Sequence, residues 1–249
     1  AVKKLGVWDA SETAIGAKIV KTEYEKLVEE GRPVIISTCC HSIVRLVQKY
    51  YVDCIPFLAP VVSPMHAHAM PHVPAAVSPM VACGRAIKRL EPGAKVVFVS
   101  PCISKKDEVD QYCDGVIDCT ITFDELYDWL QEEGVTVDPS LDNGERYRSR
   151  FFPETGGILK SMDHDPKYHY LAVDGVENCK KALEEIQAGG LRNCFIEMSS
   201  CTGSCINGPA MPKALRDVFT GQTFVEDSAD PVKDYEAEEP ELQKHIAMD

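Results

Sequence analysis

Cysteines follow closely after three strand-like runs of the chain. The runs read Val34-Ile-Ile-Ser-Thr-Cys-Cys40, Val96-Val-Phe-Val-Ser-Pro-Cys102 and Phe195-Ile-Glu-Met-Ser-Ser-Cys201, and Thr-Gly-Ser-Cys205 follows the third. The strands of a parallel sheet carry their functional groups beyond their carboxyl ends, so these thiols can meet at one edge. Four thiolates meeting there would hold a metal ion or an iron–sulfur cluster.

The spacing of these cysteines distinguishes a metal-ion site from an iron–sulfur cluster only in part. Cys201 and Cys205 are four positions apart, so a helical turn would put them on one face, and Gly203 lets the backbone fold tightly around a cluster. Zinc sites more often use paired C-x₂-C knuckles, and this chain contains none. The pattern favours a [4Fe–4S] cluster, and a structural zinc site with four thiolates stays open as an alternative.

Two further polar groups accompany the candidate ligands. Lys105 follows Cys102 by three residues, where a buried ammonium could bind an anion as a point charge; a solvated surface lysine is the alternative. Cys39 directly precedes Cys40, and adjacent side chains diverge. One thiol can therefore ligate while its neighbour faces a substrate pocket and relays protons, although Cys39 could equally be a small core residue.

Composition excludes several classes of function. The chain has 249 residues and a net charge of −13 with no Lys/Arg-rich block, so nucleic acid and anionic membrane surfaces would repel it. No apolar run approaches the roughly 20 residues of a membrane span, and no signal peptide opens the chain. Eleven cysteines, an odd number without the spacing of a secreted scaffold, indicate a reducing cytoplasm. We expect buried, inert thiols at Cys54, Cys83, Cys113, Cys119, Cys179 and Cys194.

The elements that must position these residues alternate between strand and helix, which predicts α/β architecture with parallel pairing. Strands are predicted at 33–38, 95–100, 116–120, 170–173 and 194–199. Helices are predicted from a capping box at Thr22-Glu-Tyr-Glu25 to Gly31, after Cys40, from a second capping box at Thr122-Phe-Asp-Glu125 to Gly134, from Gly156 and over 178–187.

The three cysteine segments together resemble the signature segments of the [FeFe]-hydrogenases. Ser37-Thr-Cys-Cys-His-Ser42 resembles the family's Thr-Ser-Cys-Cys-Pro, and Ser100-Pro-Cys-Ile-Ser-Lys-Lys-Asp-Glu108 resembles Met-Pro-Cys-x-x-Lys-x-x-Glu. Glu197-Met-Ser-Ser-Cys-Thr-Gly-Ser-Cys-Ile-Asn-Gly208 resembles Glu-x-Met-x-Cys-x-x-Gly-Cys-x-x-Gly. All three occur in the family's order, and the resemblance runs from about residue 6 to about residue 220.

The resemblance implies a cofactor and a reaction. Cys40, Cys102, Cys201 and Cys205 would bind a [4Fe–4S] cluster, and Cys205 would bridge to a diiron subsite with CO, cyanide and an azadithiolate. This assembly is the H-cluster, at which the family interconverts H₂ with protons and electrons. The family fold has two α/β lobes with mostly parallel sheets flanked by helices, and its iron–sulfur site lies in the cleft between the lobes.

The resemblance also assigns roles beyond the cluster ligands. Cys39 matches the thiol that passes protons to the bridging amine, and Lys105 matches the lysine that holds a cyanide. Glu23, in the first helix, matches a glutamate further along the proton pathway. Electrons would come from a ferredoxin-like domain or protein, and maturation proteins would insert the H-cluster.

Several residues depart from the family pattern. His41 replaces the usual proline, and Ser100 and Ser199 replace two methionines that pack around the diiron subsite. If the first Ser-Pro-Met copy is the aligned one, Ala59 replaces a serine of the proton path. A more polar pocket should shift the cluster's potential. Such changes resemble the divergent, sensory branches of the family, so we expect an enzyme used in H₂ sensing. A non-catalytic iron–sulfur scaffold or assembly protein of the same superfamily is the alternative.

The organisation follows from the extent of the resemblance. We expect a catalytic domain at 1–224 whose N-terminal portion is missing or supplied by another chain, and an acidic extension or linker at 225–249. Between strands, Val62-Ser63-Pro64-Met65 returns as Val77-Ser78-Pro79-Met80 around three histidines. We interpret 61–80 as a Pro-stiffened loop, with a metal site as the alternative.

Overall fold

The structure is a computed structural model, and it describes residues 1–60, 78–113, 115–137, 146–211 and 225–234. It shows α/β architecture with parallel sheets flanked by helices, as predicted. The helices of the described part are α1 (Ala14–Glu29), α2 (His41–Tyr50), α3 (Pro79–Leu90), α4 (Ser104–Tyr112), α5 (Phe123–Glu132), α6 (Gly157–Ser161) and α7 (Val176–Gln187). Short 3₁₀ helices cover Val2–Leu5, Val52–Phe57, Arg148–Phe151 and Ser204–Asn207.

The strands are β1 (Val34–Ile36), β2 (Val97–Ser100), β3 (Cys119–Thr122), β4 (His169–Asp174) and β5 (Cys194–Ser199). One sheet has the order β1-β5-β4, and a second pairs β2 with β3; every pairing is parallel. The register places Ile36 opposite Ile196 in the first sheet and Ser100 opposite Thr122 in the second. The carboxyl ends of β1 and β5 therefore lie at the same edge.

Helices cover both faces of the first sheet. Ile35 and Phe195 face one apolar cluster, which includes residues of α1, α3 and α6. Ile36 and Ile196 face a second cluster, which includes residues of α2 and α7. This two-sided burial explains why β1 reads as a continuous apolar run and why β5, before its last residue Ser199, is apolar except for the buried Glu197, since a strand covered on both faces has no solvated side.

The second predicted capping box is confirmed. Thr122 precedes α5, its side chain accepts a hydrogen bond from the Glu125 backbone N–H at 3.2 Å, and the Glu125 carboxylate accepts one from the Thr122 N–H at 2.7 Å. Both atoms satisfy backbone donors that the first turn of a helix leaves unpaired. The interaction fixes where the chain turns from β3 into α5.

The first predicted capping box is wrong. Helix α1 begins at Ala14, eight residues before Thr22, and the Thr22 hydroxyl donates to the carbonyl of Lys18 at 3.0 Å within the helix. The buried stripe of α1 starts upstream with Ala17 and Val20, and burial of this stripe outweighs the local capping signal. The helix ends before Gly31, as predicted, where φ is 76°.

Residues 61–77 of the near-repeat, including its three histidines, lie outside the described residues. The second Ser-Pro-Met copy begins α3: Ser78 occupies the N-cap position and Pro79 the first turn. Proline is favoured there because its missing N–H would have no partner in the helix anyway.

The first ten residues of the predicted extension contact the rest of the chain. Val225 is buried together with Phe151 and Ile206, and the Lys21 ammonium lies 3.2 Å from the Asp234 carboxylate. The domain boundary at residue 224 stays a prediction. No helix of the described part is long and apolar enough to cross a membrane.

Helices α1 and α3 meet at Gly16, and this contact generates the first prediction. A Cβ at Gly16 would lie 2.0 Å from the carbonyl oxygen of Pro79 and 3.0 Å from the Cys83 nitrogen. Gly16→Ala therefore forces two backbones apart and should lower the free energy of unfolding by about 2–3 kcal/mol. Urea unfolding measures this value.

Gly93→Ala is the matched control, because nothing lies within 4 Å of a Cβ at this position. It should change stability by less than about 0.5 kcal/mol. Equal stability of the two variants would show that α1 and α3 do not approach so closely.

Candidate functional site

The loops that follow β1 and β5 are joined at the candidate ligands. The Ser37 N–H donates to the Ile196 carbonyl at 2.9 Å, which extends the ladder by one residue. Cys40 is the N-cap residue of α2, and its thiol donates to the Ser200 hydroxyl at 3.6 Å. The same hydroxyl lies 4.0 Å from the sulfur of Cys201. Cys40 and Cys201 are thus brought together through one serine.

A second contact joins the loop carrying Cys205 to the loop carrying Cys102. The Ala210 N–H donates to the carbonyl of Pro101 at 2.9 Å, and a Cβ at Gly208 would lie 2.6 Å from that same oxygen. Only glycine permits this approach without a shift of backbone. The chain therefore returns after β5 to lie against the residue that precedes Cys102, although Cys102 follows a strand of the other sheet.

Lys105 makes the third contact between loops. Its ammonium donates to the carbonyl oxygen of Cys39 at 3.1 Å and to the Glu108 carboxylate at 2.5 Å. Burial alone would lower the pKa of Lys105, but the Glu108 carboxylate and the thiols of Cys102 and Cys39 raise it above its ordinary value. Lys105 is therefore a buried, charged ammonium and not the solvated surface lysine of the alternative.

The four candidate ligands influence one another electrostatically. Burial raises the pKa of the Cys205 thiol, and Cys40, Cys102 and Cys201 raise it further. Burial also raises the pKa of the Cys201 thiol, with smaller contributions from Cys40 and Cys102. Cys205 nevertheless keeps an exposed surface. A cation bound among these sulfurs would reverse the shifts by favouring the thiolates.

The candidate site offers four thiols as ligands. Among the residues that the structure describes, no three His, Cys, Asp or Glu side chains are close enough to hold a single metal ion. Four cysteine thiolates can hold either a zinc ion or a [4Fe–4S] cluster, so the type of donor fits both groups.

Cys39 lies between Lys105 and a tyrosine that sequence reasoning did not identify. The Tyr24 hydroxyl lies 3.2 Å from the Cys39 sulfur, and Tyr24 is fully buried. Burial raises the pKa of Cys39 to about 12, and the hydrogen bond with Tyr24 and the charge of Lys105 oppose this rise. Cys39 is therefore a protonated thiol with a defined hydrogen-bond partner.

The structure does not bring Glu23 to Cys39. Glu23 forms an exposed ion pair of 2.7 Å with Lys26, and the next residue, Tyr24, points to the thiol instead. The stripe Ala17, Val20, Tyr24 could have identified this residue, because its spacing of three and four marks the buried face of a helix. The prediction that the helix begins at Thr22 excluded Ala17 and Val20, so the stripe was not recognised.

The two serines that replace family methionines bond within their own loops. The Ser100 hydroxyl accepts from the Cys102 N–H at 3.2 Å and therefore helps orient the loop of this candidate ligand. Ser199 lies 2.9 Å, hydroxyl to hydroxyl, from Ser204. Ser204 has a φ of 62° at a position where the family pattern has glycine. Ser199 and Ser204 both depart from the family pattern, and their hydrogen bond offsets part of the strain of the positive φ at Ser204.

His41, the third departure, connects α2 to α4. Its Nε2 lies 2.7 Å from the Asp107 carboxylate, its Nδ1 lies 4.0 Å from the Glu108 carboxylate, and its ring is buried. The imidazole thus fixes the helix that starts at Cys40 against the helix that carries Lys105.

All eleven cysteines are free thiols, and of the six expected to be inert, all but Cys119 are buried.

The sequence of this chain matches the family described as iron only hydrogenase large subunit, C-terminal domain, over residues 1–70 and 67–209. The chain belongs to this family. The two matched segments overlap at residues 67–70, inside the near-repeat.

Relatives of known sequence and structure are distant. Iron hydrogenase 1 of Clostridium pasteurianum is 24% identical over 247 residues, which cover 77% of this chain and 40% of that protein. The chain thus spans less than half the length of this curated relative. An [FeFe]-hydrogenase studied for oxygen inactivation at the 2Fe subcluster of its H cluster is similar in fold, with a TM-score of 0.68 and 17% identity, over 98% of this chain and 80% of the other. An [FeFe]-hydrogenase of Chlamydomonas reinhardtii gives a TM-score of 0.64 at 17% identity over the same shares.

Glu197 is a buried carboxylate next to the site, and its environment generates the second prediction. It is 2% exposed and accepts hydrogen bonds from the N–H groups of Gly156 at 3.0 Å and Leu159 at 3.2 Å. Burial raises the pKa of Glu197 from 4.5 to about 7, against the lowering effect of these N–H groups. Between these two pH values the native state holds a proton that the unfolded state has lost.

The stability contributed by this group should therefore fall as pH rises from 4.5 to about 7, by at most about 3 kcal/mol. Glu197→Gln cannot titrate, so its stability should change less across this range than that of the unchanged protein. Urea unfolding of both proteins at pH 5 and pH 7.5 measures the difference. Parallel profiles would show that Glu197 keeps an ordinary pKa in the folded chain.

Proposed function

We propose that this chain binds an H-cluster and catalyses the reversible reaction 2H⁺ + 2e⁻ ⇌ H₂. The observation that supports the proposal is the junction of three loops: Cys40 bonds Ser200 beside Cys201, the chain after Cys205 bonds Pro101 beside Cys102, and the buried Lys105 bonds the Cys39 carbonyl. A site for a bare cubane or a zinc ion requires no such ammonium. Membership of the hydrogenase family supports the same conclusion.

The four cysteines would hold the [4Fe–4S] part of the cofactor, and Cys205 would bridge to the diiron subsite. When bound, the cofactor supplies the iron at which electrons and protons combine. Lys105 uses two of its three N–H donors on the Cys39 carbonyl and Glu108, which leaves one for an anionic ligand such as cyanide. Because Glu108 fixes the ammonium, this donor is held in place before any ligand arrives.

Cys39 would transfer the proton. Its thiol is protonated at neutral pH and is adjacent to a candidate ligand, so it can give a proton from its sulfur and take one back. Ser100 and Ser199 would stand near the cofactor in place of two thioether side chains. Their polarity supports the finer proposal that the enzyme works in H₂ sensing.

Electrons would come from a ferredoxin-like domain or protein, and maturation proteins would insert the diiron subsite. The catalytic domain would extend to about residue 224, and the remaining residues would form an acidic extension or linker. We place the protein in the cytoplasm, because eleven free thiols indicate a reducing compartment.

The cluster ligands generate the third prediction. Anaerobic reconstitution with iron and sulfide should give a brown protein with four irons, and Cys102→Ala should bind markedly less because one of the four thiolates is gone. Iron and sulfide analysis with visible absorbance measures this. Cys119→Ser is the control, since Cys119 is an exposed thiol on β3, and it should bind as the unchanged protein does. A colourless protein with one bound zinc would favour the structural zinc site.

The proposed proton donor generates the fourth prediction. After maturation, the protein should show cyanide and CO infrared bands and exchange H₂ with deuterated water. Cys39→Ala should keep the bands but lower the exchange rate about 10²- to 10⁴-fold, because general acid–base groups contribute factors of this size. Cys119→Ser should exchange normally. A complete [4Fe–4S] spectrum without any exchange would instead favour the non-catalytic scaffold.

A further inference from the structure

Tyr24 is fixed in position more firmly than most tyrosines. It is 0% exposed, and its ring packs against Phe195 with 5.2 Å between ring centroids. Its hydroxyl oxygen accepts a hydrogen bond from the Thr38 N–H at 2.8 Å. Three elements therefore hold this side chain: helix α1 carries it, strand β5 packs against its ring, and the loop after β1 bonds its hydroxyl group. The same loop carries Cys39 and Cys40.

The hydroxyl proton of Tyr24 has two acceptors within reach. The Thr38 hydroxyl oxygen lies at 3.4 Å and the Cys39 sulfur at 3.2 Å. An O–H···O bond normally spans 2.5–3.0 Å, so 3.4 Å is too long for a strong one. Sulfur is the larger atom, and 3.2 Å is a close approach between oxygen and sulfur. The Tyr24 proton therefore lies toward Cys39.

The neighbouring threonine agrees with this direction. The acceptor within reach of the single Thr38 hydroxyl proton is the Ala59 carbonyl at 3.3 Å, a bond that is weak by the same measure. A chain of proton donors that ended there would stop at a carbonyl oxygen, which has no proton to give. Tyr24 is thus not part of a relay through Thr38, and its action is confined to the sulfur that it contacts.

We propose that Tyr24 is a positioning residue that donates a hydrogen bond to the Cys39 sulfur and thereby turns the thiol proton away from α1. With its sulfur lone pair occupied by Tyr24, the S–H bond of Cys39 points away from the helix. Its backbone carbonyl is held on the other side by Lys105. Cys39 is therefore held at two points, its backbone carbonyl and its sulfur. The importance of this orientation for catalysis rests on the proposed function, but the hydrogen bond itself does not.

The apoprotein provides the first test, independent of catalysis. The S–H stretch of Cys39 is isolated as the infrared difference between the unchanged protein and Cys39→Ala. The same difference is then taken in the Tyr24→Phe background. Loss of the donor frees the thiol to rotate and to donate elsewhere, so the band should broaden or move to lower frequency.

An unchanged band would overturn the proposal, because the sulfur would then have no bond to Tyr24. A band that rises in frequency would overturn it as well, because the thiol would then be the donor and Tyr24 the acceptor. Tyr168→Phe is the matched control: its hydroxyl donates to the Arg32 carbonyl at 2.6 Å, and its ring packs against the same apolar cluster. The Cys39 band should not move in this variant.

Tyr24→Phe leaves the Thr38 N–H without its partner, so its folding is checked by thermal unfolding. If it does not fold, 3-fluorotyrosine incorporated into the otherwise unchanged chain replaces it. Fluorination makes the phenol a stronger donor, and Tyr24 is the tyrosine in contact with Cys39. The Cys39 band should then shift from its native position, and an unshifted band would count against the proposal.

The matured protein gives the second test. Tyr24→Phe should keep the cyanide and CO bands and lower H₂/D⁺ exchange about 10- to 100-fold, as misplacement of a reacting group does. Added to Cys39→Ala, it should cause no further loss, because both changes act on the same thiol. A further loss in the double variant would overturn the positioning role. Absence of exchange in every matured variant, with the infrared shift present, would reject the proposed function but not the hydrogen bond.

Discussion

Parallel pairing of β1 with β5 is the constraint on which the site depends. The backbone ladder that sets Ile36 opposite Ile196 continues through Ser37, whose N–H donates to Ile196 and whose hydroxyl accepts from the Met198 N–H at 3.1 Å. Buried backbone groups must be paired, so the two chains leave the sheet in a fixed relation. A slip of one residue would reverse the faces of Ile35 and Ile36 and separate the loops that follow. The positions of Cys40 and Cys201 are therefore set by the same hydrogen bonds that hold the sheet together.

Much of this arrangement can be read from the sequence, and the exceptions have physical causes. Largely apolar runs followed by serine predicted β1, β2 and β5, and β1 and β5 read this way because both of their faces are buried. The start of α1 was misjudged because a local signal at Thr22 competes with a stripe that only tertiary burial makes decisive. The burial of Tyr24 could be read from the helical stripe, but the partners of Tyr24 and His41 could not, since Cys39 and Asp107 lie 15 and 66 residues away. Such pairs follow from packing, not from spacing along the chain.

The three polar departures from the family pattern share one property: their side chains have hydrogen-bond partners. His41 bonds Asp107, Ser100 bonds the backbone of Cys102, and Ser199 bonds Ser204. A polar group inside a protein costs free energy unless it is hydrogen-bonded, so isolated changes of this kind would destabilise the fold. Paired, they alter the polarity around the site without leaving buried groups unsatisfied. These three substitutions therefore leave the polar side chains of the site hydrogen-bonded.

The three loops come from two different sheets, since Cys102 follows β2 whereas Cys40 and Cys201 follow β1 and β5. Any group that bonds all of these sulfurs would tie the two sheets to each other, and its binding energy would add to the energy of folding. The polypeptide with the bound group would then unfold less often than the empty one, and proteases would cut it less readily. Occupancy of the site would in this way set the lifetime of the folded polypeptide.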